Sequence, residues 1–142
     1  MMRPHGFRED ERGSVLPLIL IYVLLGIALT LVCANAVSLL TAQKRTDALA
    51  DAAALAASDG FEIVAGADGA AIRLDPELAR RQAEEVLAVS PVDARLVDIV
   101  TVGDATARAV VTTTWHPILL TAFVPDGVVL DATGTSRASL AG

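Results

Sequence analysis

The sequence predicts an α+β chain. A long N-terminal transmembrane helix runs on into a small exported domain, where one helix packs on a roughly three-stranded antiparallel sheet. Three observations lead there. No charged residue occurs between Arg12 and Lys44, which leaves 31 consecutive uncharged positions. An Ala-rich stretch without helix breakers follows at once. Much of the remainder is rich in Val, Ile and Thr and alternates with the period of two that strands require.

The uncharged run is centred on Val15–Leu40, VLPLILIYVLLGIALTLVCANAVSLL. About 20 apolar residues cross the ~30 Å hydrocarbon core as an α-helix. A helix also gives every backbone N–H and C=O a partner where no water can. Ser14 fits an N-cap, and Pro17 then falls in the first turn, where a missing N–H costs nothing. Beyond Lys44 and Arg45, TDALADAAALAASDG contains no breaker before Gly60. Ala is the best helix former, so the membrane helix continues through it. Gly60, after Ser58 and Asp59, reads as a C′ stop. The 44 residues from Val15 to Ser58 span about 66 Å as a helix, half in the bilayer and half projecting into water.

The chain therefore divides into a short cytoplasmic tail (1–13), the transmembrane helix with its Ala-rich extension (14–59) and a small exported α+β domain (60–142). The tail MMRPHGFREDER is polar and reads as disordered. Residues 61–74, FEIVAGADGAAIRL, hold two short apolar runs around Gly66 and Asp68-Gly69, either a hairpin or an irregular loop. Asp75 as N-cap, Pro76 at N1 and Glu77 in the first turn open a second helix. Its apolar side gathers Leu78, Ala79, Ala83, Val86, Leu87 and Val89. Arg80 with Glu84 and Arg81 with Glu85 form i,i+4 pairs on the other side. Ser90-Pro91 ends it. Strands follow over Arg95 to Val102, Thr106 to His116 and from Val128 onward, separated by turns at Gly103-Asp104 and Pro125-Asp126-Gly127. Ala107, Ala109, Val111, Thr113 and Trp115 share one face of the second strand. In the third, Val128, Leu130, Ala132, Gly134, Ser136 and Ala138 share a face opposite Asp131, Thr133, Thr135 and Arg137.

Charge and chemistry narrow the function. The first 43 residues balance to zero, so the net charge of −6 lies wholly in the 99 that follow. Nucleic acid needs basic patches and is excluded as a partner. The single cysteine, Cys33, lies inside the apolar run and has no intrachain partner. Leu31 and Val32 before it do not make a lipobox. His5 lies in the tail and His116 stands alone at a strand end. No metal cluster, nucleophile–base pair or Gly-rich phosphate loop is legible. Asp47 and Asp51, one turn apart, read as a solvated face. No catalytic residue, cofactor or metal is assigned, and the protein reads as a non-enzyme. Trp115 reads as core because it is in register with Val111 and Thr113.

The candidate site is a packing face. Gly26, Thr30, Ala34, Ser38 and Ala42 each follow the last by four residues, and small side chains at this spacing let another transmembrane helix approach closely. Composition alone offers the rival explanation. Ala48, Ala52 and Ala56 extend a small stripe into the wet half. Asn35, the costliest residue in the run, is assigned to a partner helix or to the membrane interface.

RGSVLPLILIYVLLGIALTLV followed by TDALADAAALAASDG resembles the Tad (Flp) pilus-assembly proteins of the TadE/TadG-like family. The likeness rests on Arg12-Gly13 ahead of the membrane helix and on the Asp51–Ala57 run after it, and it covers roughly residues 12–60. It implies a single-pass, pseudopilin-like membrane protein with its N-terminus cytoplasmic and its C-terminal domain exported. The partners so implied are the membrane, other pilin-like subunits and platform proteins of a secretion assembly. Prepilin-like members are cut after the glycine and carry Glu five residues on; cutting after Gly13 puts Leu18 there, so the likeness is to the uncleaved branch. A different reading is a small exported binding or effector protein, released by signal-peptide cleavage after Ala34-Asn35-Ala36.

Overall fold

The computed structural model describes residues 12–66, 69–103, 106–119, 121 and 124–137. Helix α1 (Arg12–Ser58) is 47 residues long and unbroken. The hairpin β1 (Phe61–Gly66) and β2 (Gly69–Leu74) follows, then α2 (Pro76–Ala88), then β3 (Ala94–Val102), β4 (Thr106–Trp115) and β5 (Val128–Arg137). The last three form an antiparallel sheet in the order β3-β4-β5, and β1-β2 is a separate two-stranded sheet. The α+β expectation therefore holds: a long apolar N-terminal helix, a second helix and a three-stranded antiparallel sheet. The expected disorder of the tail and the features at Asp68, Asp104 and Ala138 lie outside the described residues.

Local chemistry explains the elements. Asp75 caps α2, its Oδ1 accepting from Glu77 N at 2.9 Å and Leu78 N at 3.5 Å, with Pro76 in the first helical position. Arg80 pairs with Glu84 at 2.9 Å; among the described residues no such pair joins Arg81 to Glu85. Ala79, Ala83 and Leu87 are buried as expected, but Val89 is exposed, because it falls at the C-cap, past the last turn. Residues 61–74 form the hairpin rather than an irregular loop, paired from Phe61–Leu74 to Gly66–Gly69. The β3–β4 register shifts between Leu96 and Asp98, a bulge that leaves Val97 exposed. The faces expected of β4 and β5 are those observed, with Ala107, Ala109, Val111 and Thr113 turned inward and buried.

The start and end of α1 differ from expectation. Helical backbone begins at Arg12, so Ser14 lies inside the helix and Pro17 in its second turn. Proline there forfeits only the bond to the Gly13 carbonyl, close to a helix end where bonds are already weak. At the other end, Asp59 N donates to Ala56 O and Gly60 N to Ala57 O, both at 3.1 Å. Gly60 does not have positive φ. A Cβ there would lie 2.8 Å from Ala79 N and 2.9 Å from Ala79 Cα, so glycine is needed to let α2 cross, not to reverse the chain.

The larger correction concerns the second half of α1, which does not project into water. It lies against β4 and β5 on one side and α2 on another. Ala50, Ala53, Ala54 and Ala57 are fully buried and form one core with Leu74, α2, β4 and Ala132. Their spacing of three and four residues is that of a helix face turned to a core. The packed unit thus takes in the end of α1 as well as the residues after 60. Ala48, by contrast, is exposed, and Ala52 and Ala56 are only half-buried.

Candidate helix-packing and membrane site

The helix that supplies the core also supplies the candidate site, and its residues decide where one ends and the other begins. From Val15 to Val32 most side chains are large aliphatics, and these stand exposed. The most apolar window of the helix has none of its residues buried. It is long and apolar enough to cross a membrane.

The row of small residues splits between two surroundings. Gly26, Thr30 and Ala34 are exposed. A Cβ added at Gly26 would meet nothing within 4 Å, and the Thr30 hydroxyl turns back to donate to Gly26 O at 2.8 Å. That internal bond leaves the face flat and its polar group satisfied without a partner chain. Ser38 and Ala42 are half-buried. Ser38 Oγ accepts from the indole Nε1 of Trp115 at 3.1 Å. These last two residues therefore belong to the seam between α1 and its own domain, and only the first three are open to a second helix.

Sequence reasoning missed that seam. Thr46 and Thr113 place their buried hydroxyls 2.6 Å apart, and Thr46 also donates to Ala42 O at 3.0 Å. Ser58 and Ser136 meet at 3.1 Å. Gln43 Nε2 donates to Asp131 O at 3.2 Å and to Asp47 Oδ1 at 3.1 Å. The signal was present. Continued in the same steps of four, the row Gly26 to Ala42 goes on through Thr46, Ala50, Ala54 and Ser58, all buried. Each step of four advances about 40° around the helix, so the row stays covered because the sheet and α2 cover adjoining sides.

Asn35 sits where the two surroundings meet. It is buried; its Nδ2 donates to Leu31 O at 2.9 Å, and its Oδ1 has no partner among the described residues. Trp115 is half-buried against Ser38 rather than enclosed in the core. His116 is exposed at the end of β4, and Cys33 is exposed on α1. Asp47 contacts Lys44 at 3.7 Å, and Asp51 is exposed. Among the described residues no three metal-binding side chains converge. The geometry offers an exposed apolar helix half and a face of small residues on it. The chain matches no family model, no curated protein and no solved structure.

Proposed function

We infer that the protein is a pseudopilin-like structural component of a Tad or type IV-like pilus or secretion assembly, of the kind the TadE/TadG-like resemblance implies. It is held in the membrane as a single-pass protein by the first half of α1, with the N-terminus cytoplasmic and the domain exported. The observation that carries this reading is one unbroken helix whose first half exposes large aliphatic side chains and whose second half is the core of an α+β domain. Such a helix can bundle with others in lipid while it holds its own domain at a fixed height above the membrane. The role is structural and not enzymatic. The partners are other pilin-like subunits and platform proteins, reached through the Gly26–Thr30–Ala34 face, where small side chains allow close approach.

Crosslinking through Cys33 in native membranes tests it. Cys33 is exposed and adjoins Ala34. The parent crosslinks to a second membrane subunit, and Thr30→Leu with Ala34→Leu loses that product while remaining inserted. An unchanged product reduces the row to composition. A reporter fused after Gly142 is active only if it works in the exported compartment; cytoplasmic activity reverses the topology.

One observation favours the rival, an exported binding protein released after Ala36. The described side-chain hydrogen bonds from α1 to the domain begin at Ser38, so cleavage after Ala36 leaves them in place. Intact mass separates the two. A chain beginning at Val37 supports release, one beginning at Ser14 supports prepilin-type processing, and one that retains residues 1–13 supports the uncleaved anchor.

A further inference from the structure

We propose that Ile118 and Leu119, just past the end of β4, make a second membrane contact, dipping into the lipid interface beside α1. The proposal rests on the reading of α1 as a membrane anchor and adds to it a surface that reading does not use. If Val15 enters the hydrocarbon on one side, about 30 Å of helix brings the chain out near Asn35. Ser38 then stands at the headgroup level. Trp115 is tied to Ser38 by its indole N–H, so the end of β4 stands at that level too. An indole with an apolar body and a hydrogen-bonded N–H is the side chain that membrane interfaces favour.

The connection itself has the composition of an inserting loop. No Lys, Arg, Asp or Glu occurs between Arg108 and Asp126, and the sequence after His116 is PILLTAFVP. Pro117 is buried against the domain, whereas Ile118 and Leu119 point outward, 76% and 50% exposed. Thr121 Oγ1 donates to Pro117 O at 2.7 Å, which satisfies one of the backbone carbonyls that insertion would otherwise strip of water. Ile118 and Leu119 are sequence neighbours and together offer a small apolar surface. Beside a membrane helix, at the height where the helix leaves lipid, the bilayer covers them. Val37 and Leu40 of α1, 64% and 60% exposed, stand at a similar height on other sides of the helix. With two points of contact instead of one, the domain cannot pivot freely about α1, and its outer face keeps a constant tilt.

Trp115 is the only tryptophan, so the native chain carries its own depth probe. The full-length protein is reconstituted in phosphatidylcholine–phosphatidylglycerol vesicles, recovered by flotation, and its emission quenched by lipids brominated at shallow or deep acyl positions, or by aqueous acrylamide. The expected result is stronger quenching by shallow bromine than by deep bromine, with low acrylamide access. Ile118→Asp with Leu119→Asp loses most of the lipid quenching while far-ultraviolet dichroism is unchanged. Trp115 open to acrylamide and untouched by brominated lipid in vesicles that float with the protein overturns the loop contact and leaves the anchor standing. Protein that does not float overturns the anchor, and the loop contact with it. Shielding that vanishes as lipid is added at constant protein assigns the tip to a second copy and overturns the proposal.

Discussion

The two halves of α1 differ in an instructive way. Between Val15 and Val32 the side chains are large and exposed; between Thr46 and Ser58 the inward ones are small and buried. A soluble protein has the reverse, large aliphatics inside and small or polar residues outside. On the proposed reading of α1 as a membrane anchor, the first half keeps its bulk because a bilayer accepts Leu, Ile and Val at any angle around the helix. The second half gives up bulk because it must come close to a sheet. Ala50 lies over Gly134 of β5 so tightly that an added Cβ would overlap the Ala50 carbonyl and sit 2.6 Å from Asp51 N. Contact of backbone with backbone does there what interlocking aliphatic side chains do in an ordinary core.

That contrast is broken most strongly at Gly134. Gly134→Ala costs about 3 kcal/mol or more in domain stability, the upper end for overpacking, because backbone stands in the way and cannot rotate aside. Gly134→Leu removes cooperative unfolding of the domain altogether. Thermal melting followed by near-ultraviolet dichroism at Trp115 reads both. A variant that melts like the parent would mean that the helix does not ride on β5.

A middle effect comes from Thr46. Thr46→Val keeps the shape and deletes the hydroxyl, which leaves the buried Thr113 hydroxyl without its 2.6 Å partner. Destabilisation of about 1–2 kcal/mol follows, the cost of an unsatisfied buried group. Thr113→Val in the same background recovers much of it, since two apolar groups of matching shape leave nothing unpaired. A double variant weaker than either single one by the full sum would show that the hydroxyls act independently.

The smallest effect lies in the other half. Thr30→Leu with Ala34→Leu touches exposed positions and shifts the domain melt by about 0.5 kcal/mol or less, measured by the same dichroic signal. A larger shift would mean that the domain packs further down α1 than Ser38.

These residues also mark what the sequence made legible. The alternation in β4 and β5 exposed their faces correctly, and Asp75-Pro76 marked the start of α2, because both signals are local. The seam was not local. The Ala-rich stretch declared its helical propensity plainly, but propensity does not tell an Ala that faces water from one that faces a sheet. Tracing 48, 52 and 56 followed the wrong side; keeping the phase of 26, 30 and 34 reaches 46, 50 and 54. Gly60 and Gly134 read as turn or strand glycines, whereas each is small because another backbone crosses it. The crossings of Gly60 with Ala79 and of Gly134 with Ala50 join separate elements and leave no pattern within either segment.

The central claim is that one continuous helix is held by two independent surroundings. Hydrogen exchange measured by mass spectrometry on the full chain in lipid nanodiscs, parent beside Gly134→Leu, tests it most directly. In the parent, amides of 19–35 and of 46–58 are both slow. In the variant, 46–58 exchanges freely while 19–35 stays protected, because lipid still surrounds the first half after the domain has opened. Loss of protection in both segments together would contradict the account, as would retention in both.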